Sequence, residues 1–269
     1  MATASEVRRH PAVQVLGRAG MVCYGVVHVL LAVLTAQVVF GNSSSESTDQ
    51  KGALALVAES PAGPFLLWVL AVGLFAFAVW QAVLAVSGYH WISPEKKRWM
   101  RRIGSGARAV TGVVVGIAAV TYAVGGSSSD SNEKQQTLTG EVLAMPGGQV
   151  LVGIAAAVVI GIGVAIARKG VKKSFEEDLT MSELPTGTQK WVERLGRIGF
   201  IGKGLSVVVI GVLVGVAAIT ADPEQSGGLD KALHTLAAQP FGVVVLAVIA
   251  VGFLGYAVYA FAAAKAHKG

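Results

Sequence analysis

The stretch LGRAGMVCYG, residues 16–25, decides the fold because the chain repeats it twice. It returns as IGSGARAVTG at 103–112 and as LGRIGFIGKG at 195–204. Each copy has a glycine after an aliphatic residue, a small residue three positions later, and a second glycine eight positions after the first. About fifteen uncharged residues then follow, a pattern typical of the entry into a membrane-spanning helix.

The overall composition favours a membrane protein, since 53% of the residues are hydrophobic and only 14% are charged. Six separate uncharged runs of roughly 18 to 22 residues are too long and too many for the buried helices of a soluble domain. The first run is longer than the apolar core of a signal peptide and has counterparts in the other copies, so we expect it to be retained. The single cysteine, Cys23, excludes a disulfide framework.

The chain is built of three tandem helix pairs. After each first apolar run come a polar segment, a short amphipathic segment, a proline and a second apolar run. The first glycine of each copy and this proline are 44, 42 and 44 positions apart in Gly17–Pro61, Gly104–Pro146 and Gly196–Pro240. The sequence therefore predicts an all-α polytopic membrane protein with six transmembrane helices in three parallel repeats about a pseudo-three-fold axis.

The repeat boundaries follow from this period. The amphipathic segments, such as residues 229–236, are too short to span a bilayer and are predicted to be helices lying in the membrane interface, each ended by its proline. We divide the chain into a leader at 1–15, repeat 1 at 16–88, repeat 2 with its preceding basic loop at 89–180, and repeat 3 with a short basic tail at 181–269.

The distribution of lysine and arginine sets the expected orientation. Of 22 such residues, only Lys51, Lys134 and Lys231 lie on the side of the polar loops, leaving 19 on the other side. Because these cations resist translocation, the rich side and both termini are predicted to be cytoplasmic. The net charge of +6 is thus explained by topology, which makes nucleic acid an unsuitable partner.

Three segments resemble a known family. They are LGR at 195–197 with KG at 203–204, ALHTLAAQPFG at 232–242, and KGVKKSFEEDL at 169–179. In these the chain is similar, over residues 14 to 264, to a bacterial membrane family known as domain of unknown function 1206, whose members have three repeated pairs of transmembrane helices. The resemblance implies this architecture and a bacterial plasma membrane, and it implies no activity.

Two polar residues in the first span are candidates for contact with a ligand. His28 follows Tyr24 by about one helical turn, and its counterparts Val115 and Val207 in the other repeats are apolar. A neutral imidazole can bond a neighbouring helix, whereas an ionisable group within the membrane can also mark a pathway. Both interpretations stay open for His28.

The other candidates lie near the predicted cytoplasmic ends of the odd-numbered spans. Arg108, Arg197 and Lys203 can extend to phosphate headgroups and anchor their helices, and they could instead line a cationic vestibule for an anionic lipid or metabolite. Thr111 occupies the position that Tyr24 and Lys203 hold in the other repeats. Contact with anionic lipid at the cytoplasmic face is therefore expected.

Two small-residue motifs predict close helix packing. Gly112 and Gly116 in the third span, and Gly211 and Gly215 in the fifth, create faces on which backbones can approach. We expect these faces to join the odd-numbered spans to one another. Kinks that gate a pore are the competing explanation.

No catalytic motif, metal site or cofactor site is predicted. The spans contain no carboxylate, which argues against an intramembrane hydrolase and against proton-coupled transport. The acidic, serine-rich loops around Glu46 and Asp130 lack the ligand density of a calcium loop. The preferred hypothesis is a non-enzymatic scaffold, accessory or lipid-interacting protein, for which a membrane protein is one candidate partner. The alternative is a small carrier or channel with its path along the pseudo-three-fold axis.

Overall fold

The structure, a computed structural model, describes residues 11–41, 47–89, 92–93, 95–126 and 131–266. These residues are helical apart from their connections, and six helices are long and apolar enough to cross a membrane. The predicted six-span, all-α fold is therefore confirmed. The spans are α1 (Pro11–Val39), α3 (Gly63–Ser87), α4 (Glu95–Ala123), α6 (Gly148–Val171), α7 (Thr186–Thr220) and α9 (Gly242–Ala266).

Three short helices occupy the amphipathic segments between the two spans of each repeat. They are α2 (Gln50–Ala58), α5 (Ser131–Leu143) and α8 (Leu229–Ala237). Asp49 caps α2 by accepting hydrogen bonds from the backbone N–H groups of Lys51 and Gly52. We call the end of the molecule with these helices the cap end, and the opposite end, which carries most of the lysine and arginine, the basic end.

The six spans follow one another around a ring in chain order. Helix α1 packs on α3, α3 on α4, α6 on α7, α7 on α9, and α9 returns to α1. Within the described residues, α4 and α6 form no packed interface, although they belong to the same repeat. The ring thus has one break, and we call the gap between α4 and α6 the window.

The second glycine of each repeated stretch forms the contact between neighbouring repeats. A methyl group added to Gly25 would lie 2.6 Å from Phe261 of α9, and one added to Gly112 would lie 3.2 Å from Ala78 of α3. The corresponding methyl group on Gly204 would lie 2.6 Å from the carbonyl of Gly163 in α6. Each first span therefore approaches the second span of the preceding repeat through the same position, as a pseudo-three-fold ring requires.

The small residue three positions after the first glycine forms the contact within a repeat. A methyl group on Gly20 would collide with the backbone nitrogen of Phe77, and one on Gly199 with the backbone nitrogen of Tyr256. Phe77 and Tyr256 occupy equivalent positions, each 16 residues after the proline that precedes its span. The middle repeat has Ala107 here, and this residue is exposed.

The next turn shows the same difference between the repeats. Gly202 and Gly252 meet at the interface of repeat 3, where an added methyl group on either would lie 2.6 Å from the other's Cα. The equivalent residues of the middle repeat are Val110 and Val158, which are 64% and 56% exposed. Bulky residues at these positions keep α4 and α6 apart, so the window has a local cause in the sequence.

The glycine motifs pack, but not on the helices that we expected. Gly112 and Gly116 face α3, where a methyl group on Gly116 would lie 3.1 Å from Phe75. Gly211 faces Ile160 of α6. The expectation that these faces join odd-numbered spans is wrong, because in the ring the first spans pack on second spans and not on one another.

One aspartate joins all three repeats at the cap end. The Asp230 carboxylate accepts a hydrogen bond from the backbone N–H of Thr48 at 2.6 Å and from Nδ2 of Asn132 at 2.9 Å. Asn132 in turn accepts a bond from the N–H of Gly228 at 2.9 Å. The three connections are therefore held together over the end of the ring.

Replacing this carboxylate should destabilise the protein. We expect Asp230→Ala to lower the free energy of unfolding by about 2 kcal/mol, because it removes the acceptor of two hydrogen bonds in partly buried positions. The change should appear as a lower Tm of the protein in detergent. Glu224→Ala removes the same charge from an exposed residue at this end and should leave the Tm unchanged; equal losses for the two variants would contradict the assigned role.

Candidate functional site

A lysine lies at the centre of the ring, surrounded by aromatic residues. Nζ of Lys203 donates a hydrogen bond to the Tyr24 hydroxyl at 2.8 Å and lies 3.8 Å from the centre of the Tyr256 ring. Tyr24 stacks on Phe77 with ring centres 4.3 Å apart. The ammonium is thus held by a hydroxyl and by aromatic faces, which attract cations.

His28 completes the surroundings of this ammonium, and its tautomer follows from its partners. Nδ1 lies 2.9 Å from the Tyr24 carbonyl, which can only accept, so Nδ1 carries the proton. Nε2 is then free to accept from Nζ of Lys203, 3.1 Å away. The imidazole therefore supports a charged lysine without supplying a negative charge.

Arg108 reaches toward the same region from α4. Its Nη2 donates hydrogen bonds to the Tyr89 hydroxyl at 3.0 Å and to Oγ of Ser105 at 2.9 Å, while its buried Nε has no partner among the residues that the structure describes. Tyr89 is fully buried and has a φ of 65°, a left-handed conformation that is uncommon for a bulky residue. The chain turns sharply after α3 at this residue, whose hydroxyl meets the guanidinium.

Two further cations meet at the basic end of the window. Arg101 of α4 and Lys169 of α6 both donate to Oδ2 of Asp178, at 2.5 and 2.8 Å. Arg101 also pairs with the half-exposed Glu177. Asp178 thus bridges the two helices that flank the window.

These four residues, Arg101, Arg108, Lys169 and Lys203, form what we call the cationic cluster. Arg108 lies within electrostatic range of both Lys169 and Lys203. Among the described residues, Arg108 and Lys203 form no ion pair. Within the same residues, Asp178 is the one buried carboxylate that faces the cluster, where it pairs with Arg101 and Lys169. An excess of positive charge in a low-dielectric site attracts an anion.

The cluster reaches the depth of a lipid headgroup at Lys169. Lys169 is 21 residues beyond Gly148, the first residue of α6, which places its Cα about 31 Å along the helix at about 1.5 Å per residue. The hydrocarbon core of a bilayer is about 30 Å thick. If α6 enters the membrane near Gly148, Lys169 therefore reaches the opposite headgroups.

The connection between α6 and α7 covers the basic end of the ring. In this plug segment, residues 174–184, Phe175 stacks on Phe200 with ring centres 5.2 Å apart, and Leu179 is buried. The N–H of Thr180 donates to the carbonyl of Ala266 at 2.6 Å. Burial and the nearby Glu193 carboxylate raise the pKa of Glu176 above its ordinary value. The segment that carries Asp178 is thus packed between helices from two repeats.

A family model described as Domain of Unknown Function (DUF1206) matches residues 19–88, 103–173 and 198–267. The chain belongs to this family. Each matched segment contains one pair of spans, so the DUF1206 repeat is the helix pair of the structure.

One curated relative is similar along nearly the whole DUF1206 chain. It is "Uncharacterized protein YxxB" of Bacillus subtilis (strain 168), which is 30% identical over 250 residues that cover 93% of this chain and 90% of the relative. No solved structure matches this chain significantly. The similarity therefore extends through all three repeats, and neither description states an activity.

The structure brings together four of the six residues that the sequence selected. Tyr24, His28 and Lys203 are in contact, and Arg108 lies close to them. Lys203 and Arg108 do not anchor their helices to lipid headgroups at the ends of the spans, because both side chains turn toward the inside of the ring. The remaining two candidates lie elsewhere: Arg197 is exposed, and Thr111 donates to the carbonyl of Ala107 in its own helix.

Sequence reasoning missed the residues that complete this DUF1206 site. Asp178, Lys169 and Arg101 occur in charged stretches that resemble solvated loops. One pattern in the sequence could have indicated the site: the acidic tripeptide EED at 176–178 follows the cations at the end of the fourth span. Of the acidic loop residues, Glu46 and Asp130 lie outside the described residues, and within those the side chains contain no group of three metal-ligating residues.

Proposed function

We propose that the protein is a non-enzymatic, lipid-interacting membrane protein that holds the acidic headgroup of a lipid from the inner leaflet. The supporting observation is the cationic cluster, in which Arg108 and Lys203 form no salt bridge with a carboxylate among the described residues. A phosphate group accepts several charge-assisted hydrogen bonds at once and suits the unused Nε donor of Arg108.

The window supplies a route for such a lipid. It opens between α4 and α6 and is lined halfway along by the apolar, exposed side chains of Val110 and Val158. An acyl chain can occupy this gap while the headgroup remains at the depth of Arg101 and Lys169. A soluble anion would gain nothing from an apolar gap in the side of the ring, which favours a lipid as the ligand.

Photochemical capture of lipid tests this proposal. The protein, with a diazirine amino acid at Val158, is reconstituted in nanodiscs of mixed phosphatidylglycerol and phosphatidylcholine, and the captured lipid is identified by mass spectrometry. We expect phosphatidylglycerol to be enriched severalfold over its bulk fraction, because the headgroup above this position pairs with cations.

The control is the neighbouring position, Ala157. It lies at the same depth but about 100° around the helix, and it corresponds to the lipid-exposed Val251 of α9. Lipid captured there should match the bulk composition. Bulk composition at both positions, or equal enrichment at both, would contradict a specific site in the window.

A small anion carrier is the second candidate, and the position of Lys203 on the axis of the ring favours it. Polar side chains occupy the axis, where Lys203 is hydrogen-bonded to Tyr24 and His28. Both ends of the axis are covered, one by the connections that Asp230 joins and the other by the plug segment. A carrier would have to open both ends in turn. Uptake of phosphate by proteoliposomes that is lost in Lys203→Met would favour this function over lipid binding.

A further inference from the structure

The plug segment places a carboxylate on the cations that an acidic headgroup would use. Asp178 lies in a single turn of 3-10 helix, Glu176–Asp178, and not in a span. Its Oδ2 accepts from Arg101 and Lys169, and the carboxylate also faces Arg108. Arg101 and Lys169 thus hold this carboxylate at the basic end of the window, with Arg108 within electrostatic range of it.

We propose that Asp178 is an internal substitute for the ligand, and that an acidic lipid headgroup displaces it together with the plug segment. This inference rests on the proposed function. A headgroup that enters between α4 and α6 meets Arg101 on one side and Lys169 on the other, and Asp178 already occupies the space between them. Two anions at this position would repel each other, so binding of the phosphate requires the carboxylate to leave.

The packing of the plug segment is consistent with two positions. The segment is held by the stacking of Phe175 on Phe200, by the burial of Leu179 and by the backbone bond from Thr180 to Ala266. A cavity of about 250 Å³ borders Thr180 and Glu183 between α1, α3 and α9, so one side of the segment is not filled by protein. In the absence of a headgroup, Asp178 offsets part of the charge of the cluster and connects α4 to α6.

Removing the internal carboxylate should strengthen lipid binding. In Asp178→Asn, we expect retention of phosphatidylglycerol, measured by native mass spectrometry, to rise about tenfold over the wild type, the scale of one charge-assisted hydrogen bond. Retention of phosphatidylcholine should not change. Glu183→Gln is the matched control: it alters the net charge equally at an exposed residue of the same segment, and it should change retention less than about twofold.

A second measurement follows the plug segment itself, in case Asp178→Asn folds poorly. In a Cys23→Ala background, Leu179→Cys places a thiol at a position that is 1% exposed, and Ser182→Cys places one at an exposed position. Phosphatidylglycerol nanodiscs should speed the reaction of residue 179 with a charged maleimide about tenfold relative to phosphatidylcholine nanodiscs. The rate at residue 182 should stay the same.

The outcomes separate this inference from the proposed function. If the wild type retains phosphatidylglycerol but neither variant shows the expected increase, displacement of Asp178 is wrong and lipid binding stands. If inorganic phosphate in phosphatidylcholine nanodiscs exposes residue 179 equally well, displacement stands and the ligand is a soluble phosphate. If the wild type shows no preference for phosphatidylglycerol or phosphate, both are wrong.

Discussion

Gly199→Val is expected to abolish the folded protein, whereas Ala107→Val, at the equivalent position of the middle repeat, is expected to be tolerated. A side chain at Gly199 would collide with the backbone of Tyr256, so α7 and α9 would have to separate. Overpacking usually costs about 1–3 kcal/mol and more where backbone must move. We expect a larger loss here because this interface also positions Lys203 and Tyr256.

The measurement is the yield of monodisperse protein on size-exclusion chromatography together with the Tm in detergent. Gly199→Val should give aggregated protein or a Tm lower by roughly 10 °C or more. Ala107 is exposed at the window, so its replacement by valine adds two methyl groups that face lipid. If Ala107→Val proved as damaging as Gly199→Val, α4 and α6 would have to be in contact and the window would not exist.

Arg108→Gln is expected to reduce the retention of phosphatidylglycerol by about tenfold or more. The change removes a charge and the unused Nε donor, and hydrogen bonds to charged groups contribute roughly 1.5–3 kcal/mol. Native mass spectrometry of protein released from mixed-lipid nanodiscs would measure the bound fraction. Arg108→Lys keeps the charge but not the fork of donors and should restore part of the binding.

Arg197→Gln is the matched control for this variant. Arg197 lies at the same end of the molecule, carries the same charge and is exposed on α7. Its loss should change retention less than about twofold, since exposed charges are screened by water and salt. Equal effects of Arg108→Gln and Arg197→Gln would mean that the basic end attracts anionic lipid only through its general charge.

The candidate site could be predicted in part from the sequence. Tyr24, His28 and Lys203 stand out because they are polar residues near or within apolar runs, where such groups are costly without partners. Their contact could not be predicted, since Lys203 lies 179 positions from Tyr24 and 175 positions from His28. Asp178 gave no comparable signal, because a carboxylate among cations in a connection looks like any solvated loop.

The sequence by itself determined the six spans, the three repeats and the positions of close packing. These depend on local properties: the length of each apolar run, the proline that ends each short helix, and glycines such as Gly25 and Gly199 that permit backbones to approach. It also contained the cause of the window, in Val110 and Val158 of the middle repeat. A single repeated motif thus carries most of the architecture.

Only the tertiary structure decided which helices meet and which charges face inward. A glycine face indicates that another backbone can approach the helix, but it does not indicate which helix that is. The contact of Gly112 with α3 therefore depended on the order of the helices around the ring. In the same way, a cation near the end of a span can extend to the headgroups or turn toward the axis. Packing of the spans turned Arg108 and Lys203 inward, because there they donate hydrogen bonds to the hydroxyls of Tyr89 and Tyr24.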